Sequence, residues 1–260
     1  MDAADKLLSE TYSTFLKNWT VIESLRKVAT VALPIATQQL TAQNAALIEI
    51  MSKDPDYKKI IVNKEGSATE WGDKVKSILS AGLTNLPLTL FTTAIDAASI
   101  VFAQSILDDA VLTFLRVCGL VAPSDWEKYI DARKVDFATI KSKDATTIRE
   151  ELVTANINQL GMESLLKKLD VLFALAPPPP DFKPIEGYKY DRDRIEKIDK
   201  LRQSIIHHNA IGTALLGVEE DLTYVKRTIN YLIALINKKY GVRLDMAIMF
   251  PAAMMASTSP

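Results

Sequence analysis

The stretch Leu88–Val121, LTLFTTAIDAASIVFAQSILDDAVLTFLRVCGLV, is the most apolar part of this 260-residue chain, and its reading decides the fold. Its length raises the question of a membrane. Asp96, Gln104, Asp108, Asp109 and Arg116 interrupt it, and the uninterrupted apolar window is shorter than the ~18–20 residues a spanning helix needs. We expect a buried central helix and no membrane segment. The composition agrees with helices throughout: 9 glycines, many Ala, Leu, Ile and Lys, and long apolar periodicities without turn clusters at hairpin spacing. At 48% hydrophobic and 24% charged, the chain can bury a sizeable core, as one large or two small domains.

On the N-terminal side, Leu7, Leu8, Tyr12, Phe15, Leu16, Trp19 and Ile22 recur at helical spacing. They predict one or two long helices over residues 3–52, with Pro34 kinking or dividing them. Ser52 to Gly66 reads as a loop with Tyr57–Val62 as a short extended piece, and a helix over Thr69–Ala81 leads through Gly82 and Pro87 into the apolar stretch. On the C-terminal side, Ser124-Asp125-Trp126-Glu127 has the pattern of a capping box opening a short helix to about Ala132. Asp144 caps a helix to about Leu160 that Gly161 closes, and another helix runs over Glu163–Ala176. Pro177–Pro180 then form a stiff spacer in preference to an SH3-type ligand. A helix over Asp191–His208 follows, and after Gly212 and Gly217 a last one spans Val218–Lys239. Leu222, Val225, Ile229, Leu232, Ile233 and Ile236 lie on one face of it and Gly241 stops it. The end, from Phe250, is small, Met-rich and expected to be mobile.

The formal charge of -1 gives no global bias towards nucleic acid, so RNA or DNA binding has to rest on a local patch. Between Lys183 and His208 there are seven Lys/Arg against five Asp/Glu, a weak footprint. Cys118 is the single cysteine, which excludes an intramolecular disulfide and suits a reducing cytoplasm. Asp2, Asp5 and Glu10 near the start do not match a secretory signal, so the expected location is cytoplasmic.

Chemistry concentrates in Lys200–Asn209, KLRQSIIHHN, which holds both histidines of the chain. Any imidazole acid/base chemistry at neutral pH has to happen there. On a wheel centred at Arg202, Ile195, Ile198, Leu201, Ile205 and Ile206 form an apolar arc with the arginine in its middle. That position is costly unless the guanidinium is paired or faces a cleft. As a plain buried ion pair its expected partners are Asp108 or Asp109. His208 sits at one edge of the arc, Asn209 on the same face, and His207 projects about 140° from Arg202. Either the helix ends or unwinds near His207, or a second chain completes the polar groups across a dimer seam. A core role for His208 and a solvated one for His207 are the plainer readings. No Gly-rich phosphate loop, CxxC pair, HExxH or nucleophile elbow occurs, and adjacent helical histidines chelate one ion poorly, so neither cofactor nor metal is expected.

Arg202-x4-His207, in the form RQSIIHHNAIG at the end of a late helix and followed by a glycine-containing loop and another amphipathic helix, resembles the HEPN superfamily (higher eukaryotes and prokaryotes nucleotide-binding domain). The apolar helix around Ile100–Val117, with its acidic pair Asp108 and Asp109, looks like that family's central helix. The specific motif covers about a dozen residues and the looser pattern 88–240. The resemblance implies an all-α helical bundle over 85–241, beside an N-terminal helical region (1–84) that it does not reach and a tail (242–260). It implies a homodimer whose two motifs face each other across a cleft. It further implies a metal-independent endoribonuclease of bacterial defence or toxin-antitoxin systems, acting on RNA and paired with a neutralising or regulatory protein. Arg202 matches the motif arginine and His207 the motif histidine, while Gln203 stands where the family commonly has Asn, Asp or His. In that role His207 moves protons, Arg202 holds the scissile phosphate, and Gln203, His208 and Asn209 position substrate or imidazole. The products implied are 2′,3′-cyclic phosphate and 5′-OH ends. An inactive HEPN-like dimer that binds RNA, nucleotide or protein is the alternative.

Overall fold

The computed structural model describes residues 3–53, 86–129, 141–208 and 215–249, and among them every regular element is helical. The fold is all-α, as expected. In chain order the α-helices are α1 (Ala3–Lys53), α2 (Leu86–Val121), α3 (Ala145–Gly161), α4 (Leu165–Leu175), α5 (Arg192–His208), α6 (Val218–Tyr240) and the single turn α7 (Met246–Met249), with a 3-10 turn at Pro123–Trp126. The expected loop from Ser52 to Gly66 (beyond Lys53, which ends α1), the helix over Thr69–Ala81 and the break near 84–85 fall outside the described residues.

The described residues belong to two compact units. The first draws on Met1–Val21, Ile100–Ser204 and Gly217–Pro260, and the second on Ile22–Ser99 and Ile205–Leu216.

In the first unit the second half of α2 supplies the core. Ile100, Ala103, Leu107, Val111, Phe114 and Cys118 recur every three or four residues and are all buried. α6 answers with Leu222, Val225, Ile229, Leu232 and Ile236, also buried, and Leu8, Phe15 and Trp19 of α1 and Leu169 and Leu172 of α4 join them. Each full burial of a Leu or Ile is worth about 1.5–3 kcal/mol, so this seam holds the unit together. α3 approaches α2 closely at Gly119, where a Cβ would stand 2.9 Å from Val153 Cγ1 and 3.1 Å from Ile157 Cδ1. The burial expected of the whole Leu88–Val121 stretch holds for one face of the helix from Ile100 to Cys118. Leu90, Phe91 and Phe102 are about half exposed. By length and composition alone Thr89–Val121 could cross a membrane, and its Ile100–Cys118 part is the core of a helical unit.

Cys118 shows what that core does to a titratable group. Its thiol meets the Tyr240 hydroxyl, and burial pushes it up to about 12. The thiolate is the reactive form, so the folded chain is expected to resist iodoacetamide at about pH 8 and to be alkylated once guanidinium unfolds it. Intact-mass spectrometry reads the difference. Alkylation of the folded chain would place Cys118 outside the core.

The helix ends follow local chemistry. Asp144 caps α3 by accepting from Thr147 N (2.9 Å) and Thr147 Oγ1 (2.8 Å), bonds that hold its carboxyl below the usual carboxylate range. Ser164 caps α4 through Lys167 N, and Gly241, at φ 69°, closes α6. Pro34, expected to kink or divide the N-terminal helices, lies inside the single helix α1; a proline removes one ladder bond, and this helix has 51 residues. Two expectations are corrected. Gly161 belongs to α3, and Met162 in right-handed conformation follows it as the cap. Ser124 does not cap a helix: Pro123 starts the 3-10 turn one residue earlier, Ala122 takes the cap position without a side-chain bond, and Ser124 falls inside the turn. The chain beyond Gly241 is also tied down at its start, because Arg243 N donates to Asp5 Oδ1 (2.8 Å) and Asp245 N to Ser9 Oγ (2.7 Å). The part expected to be mobile, from Phe250, is outside the described residues.

In the second unit Arg26 of α1 pairs with Asp96 of α2. Along α1 this unit leaves Leu25, Val28, Val31, Ile35, Leu47 and Ile50 exposed.

Candidate functional site

α5 begins at a built corner. Asp191 Oδ1 accepts from Asp193 N (3.0 Å) and Arg194 N (3.2 Å), capping the first turn. Arg194 then bonds Asp221 of α6 (2.9 Å) and stacks on Tyr224, with its guanidinium carbon 4.6 Å from the ring centre. Further along, Glu196 and Lys200 form an i,i+4 pair at 2.6 Å. Ile195, Ile198 and Ile205 are buried, and Arg202 falls on their seam, four residues after Ile198 and three before Ile205.

Arg202 is 27% exposed at its side chain and bonds Asp199 one turn back, with Nε 3.4 Å from Oδ1. Asp199, itself only 18% exposed, accepts a second bond at the same oxygen from Gln104 Nε2 of α2, at 2.9 Å. Gln104 is 1% exposed, and its Oε1 has no partner among the described residues. The Nη groups of Arg202 likewise have no partner among the described residues. Among the described residues, this guanidinium on an apolar seam is therefore held at Nε and has no partner at its Nη groups.

The expected pairing of Arg202 with Asp108 or Asp109 is corrected. Both oxygens of Asp108 lie 2.8 Å from Lys168 Nζ of α4, whose side chain is 3% exposed, so that carboxylate is taken. Asp109, turned about 100° from its neighbour, is exposed and lines a cleft of about 280 Å³ with Glu10, Thr11, Thr14 and Asn18 of α1. Ile206 also departs from the expected arc, at 49% exposed. Side chains of consecutive helical residues diverge by about 100°, and the seam takes Ile205.

Gln203, beside Arg202, is half-buried, and His207 is exposed. α5 is helical up to His208, its last described residue, one position after His207. Asn209 lies outside the described residues. Among the described residues no three His, Cys, Asp or Glu side chains converge as a metal site. Trp19 and Trp126 are buried in packing, with Lys226 Nζ standing 5.7 Å from the Trp19 ring centre, and the third tryptophan, Trp71, lies outside the described residues.

Sequence reasoning missed Asp199 and Gln104. The first had a signal, its i,i+3 spacing to Arg202. The second was visible only as a polar interruption of the apolar stretch. No family model, no curated protein and no solved structure matches this chain.

Proposed function

We propose that this chain is a metal-independent endoribonuclease of the HEPN type that works as a homodimer, of the kind found in bacterial defence or toxin-antitoxin systems. The observation that supports it is the state of Arg202. A guanidinium is kept on an apolar seam at the cost of desolvation, bonded at Nε to Asp199, and without a partner for its Nη groups among the described residues. His207, five residues further along the sequence, is exposed. A purely structural arginine would spend both edges.

In this reading the Nη edge of Arg202 takes two non-bridging oxygens of a phosphodiester and stabilises the charge of the phosphorane-like transition state. A neutral imidazole removes the 2′-OH proton, the 2′-oxygen attacks phosphorus, and a protonated imidazole gives its proton to the departing 5′-oxygen. The products are a 2′,3′-cyclic phosphate and a 5′-OH. One histidine per chain in each role calls for two copies of His207, one from each subunit. An exposed imidazole in the last turn of α5 is open to completion by a second copy.

The test is cleavage of mixed cellular RNA by the purified chain in excess EDTA. Cutting to cyclic-phosphate and 5′-OH ends is the expected result; 3′-OH ends, or activity that EDTA abolishes, would refute the mechanism. A second reading, an inactive HEPN-like dimer that binds RNA, nucleotide or protein, draws on the exposed apolar side chains of Leu25, Val28, Ile35 and Ile50 along α1. Saturable RNA binding without turnover would favour it.

A further inference from the structure

We infer that Gln104 and Asp199 are positioning residues for Arg202, together selecting which edge of its guanidinium meets a phosphate; the identification of that phosphate as part of an RNA backbone rests on the ribonuclease reading above. A guanidinium offers two bidentate edges, Nε with one Nη and the pair of Nη groups. Asp199 Oδ1 engages Nε at 3.4 Å, and the Nη–Nη edge, which has no partner among the described residues, is left for a ligand. Asp199 is one helical turn from Arg202, and an i,i+3 carboxylate on a helix surface would sample several rotamers. Here a second bond fixes it. Gln104 Nε2 donates to the same oxygen at 2.9 Å from a side chain that is almost wholly buried in α2.

The state of Gln104 argues against a merely structural role. Its Oε1 is buried without a partner among the described residues, so the amide is held at a net cost in desolvation. A leucine of similar size would remove that orphan acceptor and fill the same space between α2 and α5. The one thing a leucine cannot supply is the donor to Asp199. Gln104 thus contributes through Asp199 to the direction of Arg202, and its effect should surface in the behaviour of the arginine more than in stability.

The experiment uses the full chain labelled with nitrogen-15, following the Arg202 Nε–Hε signal, assigned by its disappearance in Arg202→Lys. Dimethyl phosphate serves as the phosphodiester probe. In the wild type the signal is expected to exchange slowly with water and to move saturably as the probe is added. In Gln104→Leu and Asp199→Ala exchange should be at least tenfold faster and the probe at least fivefold weaker, with Gln104→Leu keeping the wild-type thermal midpoint. Asp199→Glu, which keeps the carboxylate on a longer arm, should recover part of both. Unchanged exchange in folded Gln104→Leu, or a probe that shifts the signal equally in all variants, would overturn the inference. An Arg202 signal insensitive to the probe in the wild type would overturn it as well. RNA cleavage is measured beside these. A wild type that binds the probe at Arg202 yet cuts no RNA sinks the ribonuclease reading and leaves the positioning role standing. Variants with loosened Arg202 that cut at the wild-type rate sink the positioning role and leave the ribonuclease reading standing.

Discussion

His207→Ala is expected to lower RNA cleavage by about 10²–10⁴-fold, the range that one positioned acid or base contributes. The fold should survive. The imidazole is exposed near the end of α5, so its truncation removes little buried area, and alanine is the better helix former. The loss should appear in kcat, because proton transfer belongs to the transition state and not to the encounter with RNA. Arg202→Ala should differ in kind. It removes a phosphate contact present in both ground and transition states, and among the described residues it leaves Asp199 with Gln104 as its remaining side-chain donor, so KM and kcat should suffer together. His208→Ala serves as the companion variant, since the two histidines are adjacent and only one can share the orientation the chemistry uses. Comparison of initial rates on a single RNA substrate, in EDTA, with circular dichroism confirming the folds, reads all three. Wild-type rates from His207→Ala would remove that residue from the site, and a selective loss from His208→Ala would transfer the role to its neighbour.

The helices themselves were largely legible because their signals are local. α6 has an uninterrupted apolar seam, three acidic residues in its first turn, Lys238 and Lys239 in its last and a glycine after it, and each of these cues acts within a turn of the residue that carries it. Asp144 capping α3 is equally local. The start of the Pro123–Trp126 turn was misread because two local rules competed there, a serine that can cap and a proline that fits a first helical position, and the proline won. Side-chain partners were far less legible. Gln104 and Asp199 lie 95 positions apart, and Asp108 and Lys168 lie 60 apart. Periodicity says which face of a helix is buried and nothing about which helix lies against it. The wheel around Arg202 correctly marked the position as one needing a partner, and then supplied the wrong acid because the right one was on the same helix.

The pair that removed Asp108 from Arg202 carries the second large expectation. Asp108→Ala should destabilise the chain by about 3 kcal/mol, the lower end of the range for breaking a buried ion pair. The argument turns on which partner is left behind. The Lys168 side chain is 3% exposed and both of its close bonds go to Asp108, so its ammonium would remain in the core without a counter-charge. Asp108 is 39% exposed, and after Lys168→Met its carboxylate can turn to water while the methionine fills the space of the lysine stem. Lys168→Met should therefore cost much less than Asp108→Ala, although both delete the same bond. Restoring the balance by combining Lys168→Met with Asp108→Ala should recover most of the loss, since no buried charge remains. In a domain of this size 1 kcal/mol moves Tm by roughly 2–4 °C, so thermal melts should show a fall of about 6–12 °C for Asp108→Ala alone. Cleavage measured well below that midpoint should be unchanged, because the carboxylate faces Lys168 and not Arg202. A melt within 2 °C of wild type would mean that water reaches Lys168, and a loss of cleavage without a loss of stability would return Asp108 to the site.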